Sequence, residues 1–294
     1  MKKIITALLA VLMVVSLTAC TSKTSEEPKE EKVLKIGAIP DQDAAKLSRS
    51  LGELENYLSE KIGVKVEYVP SSDYAALVTA FERGEMHLAW FGGLTGVQAR
   101  DLVPNAQAIA QRPMDQEFHS VFITQKNIDA KELKDLKGLS FTFGSESSTS
   151  GHLMPRYFLK EAGIDPTKDF DGAPNYSGSH DKTWKLVESG SFQAGVLNES
   201  VWKSAVDEKK VDLSKVNVAY VTPAYYDYHW TANENIDKEF GEGTTDKIKE
   251  ALLSLNDKDN ATIMEVFQSD KFIETKNENY EKIRSVAKEL GMVK

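Results

Sequence analysis

Five hydroxyl side chains lie between Ser145 and Ser150, in the stretch FGSESSTSG (Phe143–Gly151). An alternating apolar run, LSFTFG, precedes it, and a helix-like segment follows. Hydroxyls at such a junction can supply a nucleophile, an anion cradle or a helix cap. A nucleophilic serine needs a base within reach and a group that orients the base. An anion cradle needs only donors converging on one point.

The catalytic option finds little support. Ser-x-x-Lys occurs twice, at Ser179–Lys182 and Ser200–Lys203, but the Ser-Asp-Asn and Lys-Thr-Gly companions of serine acylases are missing. Gly144-Ser145-Glu146-Ser147-Ser148 does not form a Gly-x-Ser-x-Gly elbow. The five histidines, His87, His119, His152, His180 and His229, show no metal-ligand spacing. Neither an enzyme nor a bound metal or cofactor is expected.

The anion option has a mechanism. The first N–H groups of a helix lack intrahelical partners, and the helix dipole places partial positive charge there. If a helix starts near Ser150, with Pro155 in its first turns, the hydroxyls of Ser148, Thr149 and Ser150 donate to that same point. A plain serine cap explains this segment equally well when it is read alone. Two other junctions resemble it. Trp90-Phe91-Gly92-Gly93-Leu94-Thr95-Gly96 is a strand entering a glycine-rich turn, where Gly92 and Gly93 allow close backbone approach and Thr95 adds a hydroxyl. Ser177-Gly178-Ser179-His180-Asp181 opens another helix with donors at its start. Three donor-rich junctions point to a donor-lined cleft.

The elements that hold these junctions form two α/β series. VLKIGAIP reads as a strand, Leu47, Leu51, Leu54, Tyr57, Leu58 and Ile62 recur at helical spacing, and Gly63 ends that helix. VKVEYVP, the helix SDYAALVTAFERG capped by Ser72 or Asp73, and the strand HLAWFGG complete a β-α-β-α-β pattern, the sign of a mainly parallel sheet. A second series runs from HSVFITQ to VNVAYV, and from about Asp237 only helices are expected. Those helices pack back on the first lobe. The chain therefore crosses between lobes twice, near Arg112–Phe118 and Thr222–Trp230, and a cleft between hinged lobes is a natural ligand site. The expected boundaries are 33–115 and 226–294 for the first lobe and 116–225 for the second.

The first 19 residues read as an export signal: Lys2 and Lys3, then the apolar run Ile4–Ala19, shorter than the ~20 residues of a membrane-spanning helix. Leu17-Thr18-Ala19-Cys20 resembles the lipobox of bacterial lipoproteins, which implies a diacylated Cys20 as mature N-terminus. Cys20 is the single cysteine of the 294-residue chain, so no disulfide is available. Residues 20–32, nearly devoid of apolar side chains, form a solvated tether. Loss of Lys2 and Lys3 takes the formal net charge from −9 to −11, which disfavours nucleic acid but permits a locally positive anion site.

Taken together, Ser72–Ala76, Trp90–Gly93, Ser147–Gly151, Ser177–Asp181 and Ala194–Trp202 make the chain similar to the extracytoplasmic solute-binding proteins of phosphonate-, phosphite- and phosphate-type ABC importers. The resemblance covers nearly all of the mature chain. It implies a type II periplasmic-binding-protein fold, two α/β lobes joined by a two-strand hinge. It also implies a monomer that closes on a small oxyanion and delivers it to an ABC permease with its ATPase. By the family pattern, Ser148, Thr149 and Ser150 hold the oxyanion, His180 donates from the neighbouring helix and Tyr74 contacts the ligand from the first lobe. Glu199 and Asp227 fall near carboxylates that receive the amine of aminophosphonates. Many members carry a proline and a Ser-Tyr pair after the Trp-x-Gly turn. Gly93 and Thr95-Gly96 stand here instead, and the combination with EFHSVF and YYDYHW looks closer to a branch labelled as selenate-binding. A ligand sensor for a membrane kinase would share the fold and the site. The lipobox generates a direct test: the mature N-terminal peptide should carry a diacylglycerol on Cys20. Membrane fractionation of Cys20→Ser should find the protein released; continued membrane retention would refute the anchor.

Overall fold

In the computed structural model, residues 32–294 are described; the signal segment, Cys20 and the tether up to residue 31 lie outside them. Among the described residues no helix is long and apolar enough to cross a membrane. The chain begins β1 (Leu34–Ala38), α1 (Ala44–Ile62), β2 (Val66–Tyr68), α2 (Tyr74–Glu82), β3 (Leu88–Phe91), α3 (Gly93–Leu102) and β4 (Gln107–Gln111). It continues with β5 (Ser120–Gln125), β6 (Phe141–Phe143), α4 (Met154–Glu161), β7 (Asn175–Tyr176), α5 (His180–Glu188), β8 (Ala194–Asn198), α6 (Glu199–Asp207) and β9 (Val216–Val221). The last part holds β10 (His229–Ala232), α7 (Ile236–Phe240), α8 (Thr244–Ser254), α9 (Ala261–Phe267), β11 (Ile273–Glu274) and α10 (Glu281–Glu289).

Helix α1 shows why these segments fold as they do. Leu47, Leu51, Leu54, Leu58 and Ile62 make one apolar face, and all are buried. Asp43 caps its start by accepting the Lys46 amide, and Gly63, with φ of 70°, ends it in the left-handed region. In β5 the period is two. Val121 and Ile123 enter one apolar cluster with Trp184 and Leu197, while Phe122 enters another with Phe141 and Phe143. The second sheet is therefore covered on both faces.

The strand order is β11-β4-β10-β3-β1-β2 in the first sheet and β7-β6-β8-β5-β9 in the second. In the first sheet β1 pairs parallel with β2 and β3; β10 lies antiparallel between β3 and β4, so that β4 runs in the same direction as β1–β3, and β11 pairs antiparallel with β4. The expectation of a mainly parallel sheet thus holds for the direction of four of its six strands, β1 to β4, but for only two of its five pairings. The returning chain enters the sheet from the second, and its direction is opposite to that of the strands already there. The helix-only reading of the C-terminal part also needs correction, because β11 extends the first sheet by a two-residue edge. Helices α8, α9 and α10 contribute Ile248, Leu252, Ile263, Phe267 and Ile283 to the same core as β1 and β3.

Two segments connect the sheets and pair with each other. Phe118 and Tyr225 exchange backbone hydrogen bonds of 2.9 and 3.0 Å, and the Asp227 amide donates to the Asp115 carbonyl at 3.1 Å. Beside this two-strand hinge lies Arg112, buried and held by Asp115 through Nε–Oδ2 at 2.7 Å and Nη2–Oδ1 at 2.6 Å. Its Nη1 donates to the Phe267 carbonyl at 2.9 Å. The guanidinium also lies 4.9 Å from the Tyr228 ring and 5.5 Å from the Trp90 ring. Removing one member of a buried pair leaves an uncompensated charge. Asp115→Ala should therefore destabilise the protein by roughly 3–5 kcal/mol, read from urea unfolding; a loss below about 1 kcal/mol would mean the pair is not essential to the hinge.

Candidate functional site

The strand β6 ends at Phe143, and the hydroxyl-rich stretch winds into a wide turn, Thr149–Leu153, that leads into α4. Ser148 is the cap: its Oγ accepts the Gly151 amide at 2.9 Å and keeps its own proton for donation. Thr149 Oγ1 accepts the Leu94 amide at 2.9 Å, a hydrogen bond from the first sheet's helices to the second's. Ser150 is buried; its carbonyl accepts the Ser120 hydroxyl at 2.8 Å, and its own hydroxyl has no partner among the described residues. The three hydroxyls, alike in the sequence, therefore have three different tasks.

At the start of α5 the His180 ring is fully buried, and desolvation holds its pKa down to about 3, so it is neutral. The Asn198 amide donates to Nδ1 at 3.3 Å, which places the ring proton on Nε2. That nitrogen lies 3.3 Å from the Tyr228 hydroxyl. The ring edge packs over Gly151, where an added Cβ would stand 3.0 Å from both His180 Cε1 and Ser148 Oγ. His180 and the Ser148 turn thus share one wall.

The facing wall comes from the first sheet. Tyr74 opens α2 behind the Asp73 cap, is buried, and its hydroxyl faces Ser148. Burial, with Asp41 and Asp227 nearby, raises the Tyr74 pKa well above its usual value, so the phenol keeps its proton. Asp227 is fully buried: Oδ1 accepts the Gly93 amide at 2.9 Å, Oδ2 has no partner, and the Thr149 and Ser150 hydroxyls face it. Burial lifts its pKa to about 7 against the pull of the Gly93 amide. The glycines of the turn serve close approach. A Cβ on Gly92 would stand 3.1 Å from Thr149 Oγ1, and one on Gly93 3.3 Å from Thr149 Cγ2. The amides of Gly93 and Leu94 thus meet protein acceptors.

Two of the sequence candidates stand apart. Thr95 Oγ1 donates to the Gly92 carbonyl at 3.1 Å, inside the first turn of α3. Glu199 is half-buried at the start of α6, and its Oε1 accepts the His119 amide beside the hinge at 3.1 Å. Conversely, Asp41 and Tyr228 escaped the sequence reading although both are buried in this region. Asp41 follows the carboxyl end of β1, the side where open α/β sheets take their ligands, which was the available signal.

Four buried side-chain atoms here lack partners among the described residues: Asp41 Oδ1, Tyr74 OH, Ser150 Oγ and Asp227 Oδ2. An unpaired buried polar group costs roughly 1–3 kcal/mol, so such a cluster fits a polar ligand that both donates and accepts. Arg112 lies close enough to lower the Asp41 pKa, but its three nitrogens already donate to Asp115 and Phe267. The site thus meets an anion with hydroxyls, a phenol and a neutral imidazole. Among the described residues no group of three or more acidic, histidine or cysteine side chains could hold a metal.

The family model for the periplasmic substrate-binding protein of phosphonate ABC transporters matches residues 36–280. The chain belongs to this phosphonate-binding family. It is therefore an extracytoplasmic substrate-binding component of an ABC importer and not an enzyme. It is 43% identical over 272 residues to the probable ABC transporter phosphite binding protein PhnD1 of Prochlorococcus marinus, covering 90% of this chain and 91% of that one. The structure of that PhnD1 with methylphosphonate superposes with a TM-score of 0.86 at 42% identity, covering 90% of this chain and all of that one. The phosphate-import protein PhnD of Mycolicibacterium smegmatis is 30% identical over 190 residues, 60% of this chain and 59% of that one. The two-lobed fold expected from the resemblance is the fold of that PhnD1 structure.

The raised pKa of Asp227 has a measurable consequence. The folded protein holds this proton more tightly than the unfolded chain, whose aspartates titrate near 3.9. The contribution of Asp227 to stability is thus fullest below about pH 4 and is lost as pH rises through about 7. Asp227→Asn, without ligand, should gain stability on the wild type progressively between those limits and keep a constant lead above them. Parallel melting curves at pH 5 and pH 8 check this; an equal difference at both would show that Asp227 does not titrate there.

Proposed function

We propose that this chain captures a small phosphorus oxyanion that can carry a proton, with phosphite and methylphosphonate as the primary candidates. Asp227 is the observation that carries the reading. Its Oδ2 is buried without a partner beside the hydroxyls of Thr149 and Ser150. Selenate and sulfate are fully ionised at neutral pH, and a carboxylate repels them. A monoprotonated phosphorus oxyanion gives a proton to the carboxylate while its other oxygens accept from neutral donors. Phosphorus oxyanions are thereby favoured over the selenate alternative.

In this reading Ser148, Ser150, Tyr74 and His180 Nε2 donate to the oxyanion and Asp227 accepts from it. Thr149, Gly92 and Gly93 bring the two walls together, and Thr95 serves the turn. Glu199 already accepts the His119 amide, so an aminophosphonate finds one carboxylate fewer than the family pattern offers. Closure of the lobes about the Phe118–Tyr225 hinge buries the ligand and creates the surface the permease reads. The protein acts as a monomer anchored through Cys20, handing its ligand to the permease rather than signalling to a kinase.

Calorimetry on protein lacking residues 1–31 tests the assignment against phosphite, methylphosphonate, aminoethylphosphonate, phosphate, sulfate and selenate. Phosphite or methylphosphonate should bind at about micromolar, roughly −8 kcal/mol. Sulfate and selenate should be at least about a hundredfold weaker, the effect of placing a like charge in the site. Thr149→Ala with Ser150→Ala should lose several-fold to a hundredfold, about 1–3 kcal/mol for hydrogen bonds to a charged group. Selenate binding as tight as phosphite, or an unaffected double variant, would overturn it.

A further inference from the structure

His152 directly follows the hydroxyl-rich stretch but is not among the ligand donors. It is buried in the wide turn Thr149–Leu153, and its ring reaches back along the loop that carries the hydroxyls. Nδ1 lies 2.7 Å from the Glu146 carbonyl. Nε2 lies 3.1 Å from the Tyr176 hydroxyl on β7 and 3.4 Å from Arg156 Nη1. The ring makes edge contacts with Phe143 and Tyr176, each with centroids 4.9 Å apart.

The directions of these contacts follow from what each atom can do. A carbonyl oxygen only accepts, so the ring proton sits on Nδ1 and is given to Glu146. Burial holds the His152 pKa down to about 4, so no second proton is bound at neutral pH and Nε2 is left as an acceptor. Tyr176 and Arg156 both offer it a donor, and the phenol is the closer. With Nε2 occupied in this way, the proton stays on Nδ1.

The contact from His152 to Glu146 closes the segment 146–152, whose interior is Ser147, Ser148, Thr149, Ser150 and Gly151. Main-chain bonds fix its inner end: the Gly144 amide donates to the Gly151 carbonyl at 2.8 Å and the Leu153 amide to the Ser148 carbonyl at 3.0 Å. Glu146 is exposed at the outer end, and the His152 ring holds its carbonyl inward. Beyond the ring, Tyr176 is the last residue of β7, and the chain runs from it into Ser177–His180. There the Ser177 amide donates to the Phe143 carbonyl at 3.0 Å and the Gly178 amide to the Gly144 carbonyl at 3.2 Å. One imidazole therefore lies between the turn that presents Ser148 and Ser150 and the strand that leads to His180.

We propose that His152 is a positioning residue that staples the loop at Glu146, with Tyr176 orienting its ring, and so fixes the Ser148 and Ser150 hydroxyls before the ligand arrives. The proposal rests on the oxyanion-binding reading, in which those hydroxyls are ligand donors. A loop ordered in advance does not have to be ordered by the ligand, so the staple acts on affinity.

Calorimetric titration with methylphosphonate, with melting curves in parallel, tests it. His152→Leu removes the staple and should weaken binding about five- to tenfold, the contribution of one hydrogen bond between neutral groups. His152→Asn keeps an amide donor near the place of Nδ1 and should stay within about twofold of the wild type. Tyr176→Phe should add less than about twofold in the His152→Leu background, because it acts only through the ring. Phe170→Leu, a core change elsewhere in the second lobe, should lower the melting temperature and leave the affinity within about twofold. Unchanged affinity in His152→Leu, no rescue by His152→Asn, a further loss in the double variant, or an equal loss in Phe170→Leu would overturn the proposal. Should His152→Leu fail to fold, His152→Met, a flexible apolar replacement, carries the same comparison. If the wild type binds none of the phosphorus oxyanions, the functional reading fails, and hydrogen exchange at the Gly151 amide without ligand decides the staple. Exchange at least about fivefold faster in His152→Leu and restored in His152→Asn supports it; any other pattern refutes it.

Discussion

The buried Arg112–Asp115 pair is the interaction on which the hinge and the site both depend. It lies where the two connecting segments meet, and it ties three parts of the chain together: Asp115 receives the Asp227 amide and Arg112 reaches the Phe267 carbonyl in α9. An arginine this close to a cleft is an obvious anion receptor, yet its bidentate partner removes it from that role. The site is consequently left with neutral donors and with carboxyls whose protons are easily retained. Selectivity then comes from where protons sit rather than from the total positive charge.

That arrangement accounts for the unusual titration of the region. Asp41 and Asp227 are both pushed upward by burial, to about 6 and about 7, and His180 is pushed down to about 3. Near neutrality the cleft therefore has Asp227 partly protonated, Asp41 mostly ionised and its imidazole uncharged. A dianion entering it meets little compensating charge, whereas a monoanion carrying a proton meets a carboxyl that can accept as well as hydroxyls that donate.

Much of this was legible in the sequence where the signal is local. The helical spacing of Leu47 to Ile62, the alternation in β5 and the three donor-rich junctions each depend on a few neighbouring residues. What could not be read depends on residues far apart. Nothing near Gln107–Gln111 says that it pairs with β10, about 120 residues later, and the two-residue β11 has no periodicity to detect. The same holds within the site. Ser148, Thr149 and Ser150 look equivalent until Leu94, Gly151 and Asp227 assign each a partner or none. The two glycines after Phe91 read as room for a ligand, whereas their spatial role is to let Thr149 come close.

The place of β10 between β3 and β4 also bears on how the protein comes into being. The second sheet is drawn from one continuous stretch, β5 to β9, and can assemble as soon as that stretch is present. The first sheet cannot: β3 and β4 belong to one sheet only once the strand that follows β9 has slotted between them. A chain emerging N-terminus first therefore exposes the unpaired edges of β3 and β4 while more than a hundred later residues are still to come. Such a delay, with long-range pairing required at the end, keeps the first sheet from closing early. For an exported polypeptide this is useful, since a translocation channel accepts an unfolded thread more readily than a finished lobe.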